Sequence, residues 1–139
     1  NFEFKINSNF EDVIKNCSEV TNRKDDGTWI TDEIIEAYIN LHKAGYAYSV
    51  ETYLDNKLVG GLYGVSINGM IAGESMFHHI DSASKAALIY LIEYLKNKDV
   101  TFIDCQMMTP LFENFGAIDI PRKEFIHLLN QSLKQEKLF

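Results

Sequence analysis

An acid and an amide two residues apart, Asp104 and Gln106, close a short, mostly apolar run that begins at Val100. In extended backbone residues i and i+2 point the same way, so the two share one face, and Cys105 between them points to the other. An amide has no useful basicity. Gln106 can orient a reactant as donor and acceptor, with Asp104 to hold it. A second carboxylate, Glu74, stands beside Ser75 in another strand-like run, residues 70–77. Taken singly, each of these is also what a satisfied structural acid or amide at a strand end looks like.

The other reactive side chains have simpler readings. Cys17 and Cys105 have no Cys-x-x-Cys or His spacing, and adjacent His78 and His79 diverge with no third ligand near in sequence, so no metal site is expected. His42 reads as a packed or surface histidine, and Lys85 as a solvated residue or a phosphate contact at a helix start. Neither Gly-x-x-x-x-Gly-Lys nor Gly-x-Gly-x-x-Gly occurs, which removes nucleotide cradles of those types, and Gly-x-Ser-x-Gly is missing as well.

The elements that must carry these residues follow from periodicity. Phe2, Phe4 and Ile6 alternate as a strand. Ser8 and Glu11 have capping-box spacing ahead of a helix with Phe10, Val13, Ile14 and Cys17 on its apolar face. Residues 21–27 read as a loop. Thr31 caps a second helix with the stripe Ile34, Ala37, Tyr38, Leu41, and Gly45 stops it. Residues 46–54, 58–66 and 70–77 are three strands, parted by Asp55-Asn56-Lys57 and by the hairpin dipeptide Asn68-Gly69, and so form an antiparallel meander. A helix follows over 82–97, then a strand over 100–106, an irregular stretch over 109–117, and a last helix opened by Pro121 with Phe125, Leu128, Leu129 and Leu133 buried.

That order predicts an α+β fold with a mixed, mostly antiparallel sheet and flanking helices, the GNAT architecture of acyl-CoA N-acyltransferases. There, two central parallel strands splay apart and leave a cleft for the acyl donor. The 139 residues, 46% hydrophobic and 24% charged, make one domain, residues 1–139, able to bury a core without a disulfide or metal. A net charge of −7 argues against a duplex-binding module built on a basic face. Unstapled thiols fit a reducing cytoplasm. No membrane span or signal peptide is seen, and the chain opens on Asn1 directly into a strand pattern, as in a shortened relative of something longer.

Seven stretches, in order, then stand out together: Gly27-Thr28-Trp29-Ile30-Thr31, Leu41-His42-x-x-Gly45, Ser49-Val50-Glu51, Val59-Gly60-Gly61-Leu62-Tyr63-Gly64-Val65, Gly73-Glu74-Ser75-Met76-Phe77, Ala83-Ser84-Lys85 and Asp104-Cys105-Gln106. From Phe2 to about Phe125 the sequence resembles the leucyl/phenylalanyl-tRNA–protein transferases, bacterial enzymes of the N-degron route. They move Leu or Phe from its tRNA to proteins with N-terminal Arg or Lys. The resemblance implies aminolysis of an aminoacyl ester, with no metal or organic cofactor. Its donor is an aminoacyl-tRNA of Leu or Phe, with Met as a third. Its acceptor is a basic N-terminus, and the enzyme works as a cytoplasmic monomer. It assigns Asp104 and Gln106 to the centre, with proton transfer through water or the ribose hydroxyl. Glu74 then serves the incoming ammonium or the basic side chain. Leu62, Met76, Leu88, Leu91 and Ile103, with Ser75 beside them, line the pocket for the transferred side chain, where Met suits both a branched and an aromatic group. Trp29 and Tyr38 stack the terminal adenine.

Two departures from the family qualify this. The basic N-terminal domain of the family has no counterpart in this sequence. After Asp-Cys-Gln, where the family has a His and then Ser-Leu-Gly-Ala, the chain reads Leu111 and Asn114-Phe115-Gly116-Ala117. Two other readings stay open. One is an acetyl-CoA-dependent GNAT enzyme, disfavoured because residues 77–85 lack the glycine-rich turn that cradles a pyrophosphate. The other is a non-catalytic domain that keeps the fold. Coenzyme A in a thermal-shift assay separates the first from aminoacyl transfer.

Overall fold

The computed structural model describes residues 1–24, 30–105 and 110–139. The chain order is β1 (Glu3–Ile6), α1 (Phe10–Lys24), α2 (Asp32–Lys43), β2 (Ala47–Leu54), β3 (Lys57–Ile67), β4 (Met70–His78), α3 (Ala83–Lys96), α4 (Pro110–Asn114) and α5 (Arg122–Leu133). The four strands form one sheet in the order β1-β2-β3-β4, each pair antiparallel. The expected α+β architecture with a meander is present.

Asn9 caps α1: its Oδ1 accepts from the Asp12 amide at 3.4 Å and its Nδ2 donates to the Asp12 carboxylate at 2.8 Å. The Ser8–Glu11 box expected from spacing is therefore shifted by one, because the Ser8 amide is taken by Glu51 Oε1 at 2.9 Å. Helix α1 also runs on to Lys24, through the stretch read as the start of a loop. Thr31 Oγ1 accepts from the Ile34 amide at 3.3 Å, and Gly45 at φ +91° ends α2, both as expected. Asp55 and Asn56, both at positive φ, form a two-residue hairpin loop, so Lys57 pairs with Leu54 rather than sitting in the turn.

Each sheet face carries its own core. On one, α1 and α2 cover Ala47, Tyr63 and Phe77 with Phe10, Val13, Ile14, Cys17 and Ile30. On the other, α3 lays Ala87, Leu88, Leu91 and Leu95 on Tyr48, Val50, Leu62 and Ile71. The start of α3 is pressed onto the sheet. A Cβ on Gly60 would lie 2.5 Å from that of Ala83, and Thr52 Oγ1 donates to the Ala83 carbonyl at 2.9 Å.

The C-terminal third departs most from expectation. The run 100–106 is no regular strand among the described residues. A single parallel bridge, Ala72 to Asp104, joins it to β4 through Gly73 N–H to Asp104 O and Asp104 N–H to Ile71 O, both 2.9 Å. The stretch read as irregular contains the short helix α4. The stripe of α5 is half-buried rather than buried, with Ser132 the buried residue of that helix. These segments face a cleft, so no apolar layer closes over them.

Candidate active site

A β-bulge opens the cleft. In the β3–β4 ladder Tyr63 pairs with Ser75, but Gly64 pairs with Gly73, leaving Glu74 as the extra residue. Such a bulge bends the strand and re-aims one side chain. Gly64 makes it possible: a Cβ there would fall 1.9 Å from the Ala72 carbonyl oxygen. The same carbonyl accepts from the buried Tyr48 hydroxyl at 3.2 Å. Two residues before the bulge, β4 holds Asp104 by the lone bridge, and past it β4 and the segment 100–105 line a cleft of ≈ 1070 Å³. That size is at the upper end of the roughly 300–1,000 Å³ of small-molecule sites.

One lip of the cleft carries Gly73, Glu74, Ser75 and Met76, and the other carries Ile103, Asp104 and Cys105. Leu62, Leu88 and Leu91 form its floor, and Leu111, Phe112, Phe115 and Phe125 belong to its outer wall. Phe102 meets Phe125 edge-on at 6.1 Å, which ties α5 to the second lip.

Polar chemistry gathers around Glu74. The Tyr38 hydroxyl lies within hydrogen-bonding reach of it, and Tyr48 and Tyr63 lie near enough to feel its charge. All three phenols are held above the usual tyrosine range, by burial first; Glu74 comes next for Tyr38 and Tyr48, whereas for Tyr63 it follows Cys17 and Tyr38. Held protonated, they are suited to donate hydrogen bonds and not to act as bases. Burial likewise raises the Cys105 thiol, helped by Asp104 beside it, and lifts Cys17 to about 12. The Ser75 hydroxyl lies within hydrogen-bonding reach of the Cys17 thiol.

Of the residues singled out from sequence, the cleft brings together Glu74, Asp104, Ser75, Leu62, Met76, Leu88, Leu91 and Ile103. Tyr38 stands outside the lining, edge-on to Tyr63 at 5.4 Å, and reaches the site through its hydroxyl. Trp29 and Gln106 lie outside the described residues. Cys105 shares the cleft with Asp104 instead of pointing away, because strand alternation fails where no strand forms. His78 Nδ1 is 3.3 Å from Ser84 Oγ, and His79 Nε2 is 2.7 Å from Asn16 Oδ1, so the pair diverges. His42 stacks on Phe10 at 4.4 Å, with Nδ1 2.8 Å from the Ala47 carbonyl, as a packed histidine. Among the described residues no three His, Cys, Asp or Glu side chains form a metal-sized group, and no helix is long and apolar enough to cross a membrane. Sequence reasoning missed Tyr48, Tyr63 and Phe112, whose types in apolar runs signal only core.

The sheet, its bulge and its one-sided cleft define a GNAT-type acyltransferase fold. Solved structures agree. A possible acetyltransferase from Clostridium difficile 630 superposes with a TM-score of 0.63 over 86% of this chain and 92% of its own, at 11% identity. A ribosomal-protein-alanine N-acetyltransferase from Brucella melitensis gives 0.55 over 86% and 94%, at 13%. At such identities the likeness concerns fold alone. Residues 1–130 match the family model described as leucyl/phenylalanyl-tRNA protein transferase. Relatives bearing that name are 48% identical in Sulfurimonas denitrificans (98% of this chain, 61% of the relative) and 46% identical in Pseudoalteromonas atlantica (93% and 55%). The chain belongs to the leucyl/phenylalanyl-tRNA–protein transferase family, and it spans less than two thirds of the length of these two relatives.

Proposed function

We propose that this chain is one GNAT-like catalytic domain that transfers Leu or Phe, with Met as a third donor, from aminoacyl-tRNA to the N-terminal amine of proteins beginning with Arg or Lys. Family membership supports the reaction. The observation that carries the site assignment is that Glu74 and Asp104 stand on opposite lips of one cleft with an apolar floor. The ester is already activated, so catalysis needs positioning, a path for one proton and stabilisation of a tetrahedral oxyanion. The acceptor α-amine, with a free pKa of about 7.7–8.0, is partly neutral at pH 7. In this reading Glu74 holds the cationic end of the acceptor. Asp104 orients Gln106 against the reacting ester, and the proton leaves through water or the ribose hydroxyl. Leu62, Met76, Leu88, Leu91 and Ile103 receive the transferred side chain, with Ser75 at its edge, and Trp29 and Tyr38 take the terminal adenine. The protein works as a monomer in the cytoplasm, where charged tRNA is made.

The test is transfer of radiolabelled leucine from leucyl-tRNA to an Arg-starting peptide, with an Ala-starting peptide as control. Labelling of the Arg peptide alone is expected. A transfer indifferent to the first residue overturns the acceptor assignment. No labelling, together with stabilisation by coenzyme A, replaces the reading with acetyl transfer.

A further inference from the structure

The segment that follows α5, residues 134–139, runs back over the sheet as a strap. The β3–β4 turn holds its start: Gly69 N–H donates to the Ser132 carbonyl at 3.0 Å, and Asn68 Nδ2 donates to the Leu133 carbonyl at 2.7 Å. Two glycines leave room for its path. A Cβ on Gly69 would fall 2.7 Å from that of Gln135, and one on Gly45 would run into Lys137 Nζ. The Tyr94 hydroxyl of α3 then donates to the Leu138 carbonyl at 3.1 Å. Phe139 stacks on two rings, Tyr48 at 5.0 Å and Tyr94 at 5.6 Å, within 11° and 6° of parallel.

Tyr48 connects this strap to the cleft. It is fully buried, yet it belongs to the cleft lining. Its ring lies over Gly64, where a Cβ would stand 2.8 Å from the hydroxyl oxygen and 2.9 Å from Cε1. Its hydroxyl donates to the Ala72 carbonyl at 3.2 Å. Ala72 is the β4 residue bridged to Asp104, and that bridge is an isolated one. The position of the second lip therefore depends on what fixes Ala72. A ring stack has a preferred plane, which an aliphatic neighbour lacks, so Phe139 sets the aim of the Tyr48 hydroxyl and does more than fill space.

We propose that Phe139 is a positioning residue for the second lip of the cleft. The strap holds the Tyr48 ring, the Tyr48 hydroxyl holds the Ala72 carbonyl, and Ala72 carries Asp104. That the lip so placed serves aminoacyl transfer rests on the function proposed above; the link from Phe139 to the lip does not.

Amide hydrogen exchange on the whole chain tests the link without any substrate. The Gly73 and Asp104 amides donate across the bridge, at 2.9 Å each, and report on it, while buried Val13 and Ile14 report on the opposite face. In Phe139→Ala the two bridge amides are expected to exchange about tenfold faster, the scale of one lost hydrogen bond, with Val13 and Ile14 unchanged. Tyr48→Phe keeps the stack and cuts the link, so it should give the same acceleration, and the double variant no more than either change alone. Phe139→Tyr keeps a ring and should exchange as wild type does. Bridge amides at the wild-type rate in Phe139→Ala, or an equal acceleration at Val13 and Ile14, overturn the proposal. So does a double variant whose acceleration is the product of the two single ones. Should Phe139→Ala not fold, Phe139→Leu removes the ring face while keeping apolar bulk, and wild-type rates at its bridge amides overturn the proposal equally. In transfer assays Phe139→Ala should lower kcat about tenfold and leave KM for an Arg-starting peptide within about twofold, as expected for misplacing a reacting group and not for losing a binding contact. An unchanged kcat in the folded variant overturns the positioning role. If exchange responds as expected but the wild-type protein transfers nothing, the proposed function fails and the link from Phe139 to the lip stands.

Discussion

The two faces of the sheet are built from the same strands and end differently. Under α1 and α2 the layer is closed: Val13, Ile14, Cys17 and Tyr63 have no exposed surface. Under α3 the inner residues are as tightly covered, but the layer stops at the second lip of the cleft. The outer wall leaves Ile118 77% and Phe115 37% exposed. A closed layer fixes where Glu74 and Tyr63 stand, and an unfinished one leaves room for a ligand between rigid and adaptable walls. The boundary between them is the bulge at Glu74.

Breaking that boundary should have the largest effect. Gly64 and Gly73 pair across the bulge, so the same substitution probes both sides of it. A Cβ on Gly64 runs into the Ala72 carbonyl, whereas one on Gly73 meets nothing within 4 Å. Gly64→Ala is expected to destabilise by about 4 kcal/mol or more, and Gly73→Ala by less than about 0.5 kcal/mol. Denaturant melts of the two variants decide it, and equal losses would mean that the bulge does not depend on Gly64.

Next comes the lip itself. Asp104→Ala should lower leucyl transfer about a hundredfold, the scale of removing one preorganised polar group from a closed site. Its melting temperature should stay within a few degrees of wild type, because Asp104 joins β4 through backbone atoms, which the substitution keeps. Wild-type rates in the folded variant would remove Asp104 from the centre.

How much of this was legible beforehand follows the same division. Alternation in β1–β4 and the stripes of α1 to α3 are written in residue types, because those segments bury one side against a complete layer. The Asp55-Asn56 turn and the Gly45 stop are legible for a local reason, their positive φ. The Ser8–Glu11 cap misled because the tertiary partner Glu51 outcompetes a local one. The bulge was invisible, since Gly64 and Glu74 look like ordinary strand residues until the ladder sets them together. Residues 100–105 carry a strand composition without a second strand neighbour to complete it, so composition overcalled them. Glu74 and Asp104 were singled out through motif resemblance, and the cleft has both in its lining. Tyr63 was not, because a phenol in an apolar run reads only as core.

The two thiols sharpen the comparison with a smaller effect. Cys17 lies in the closed layer with its thiol pushed up to about 12, and Cys105 is half-buried in the cleft, also raised but less confined. Thiolate fraction and access both govern alkylation. With iodoacetamide at pH 8, Cys105 should react at least about tenfold faster than Cys17 in the folded protein, and the ratio should approach one in denaturant. Peptide mapping after timed quenching measures it, and equal native rates would show that the α1 face opens as readily as the cleft.

The smallest expected effect concerns the one fully buried carboxyl of the closed face among the described residues. Glu51 on β2 accepts the Ser8 amide and has the Ser49 hydroxyl and the Asn9 amide beside it, while burial raises its pKa above the ordinary 4.5. The nearby Ser49 hydroxyl, the Ser8 and Asn9 amides and His42 pull the other way without cancelling burial. The sign of the stability effect follows from proton counting. Between 4.5 and the raised value, folded Glu51 holds more proton than unfolded Glu51, so stability falls as pH rises through that window and is level above it. Glu51→Gln keeps an acceptor for Ser8 and cannot ionise. Its stability curve should therefore lack this decline, and the wild-type minus variant difference should decrease from pH 4.5 upward before flattening. At pH 7 the two proteins should differ by only about 1 kcal/mol, since lost charge-assisted bonds offset relief from burying the charge. Urea melts from pH 4 to pH 8 provide the curve. A difference that rises with pH would mean that Glu51 is held ionised by its neighbours, and that the closed face tolerates charge better than its packing implies.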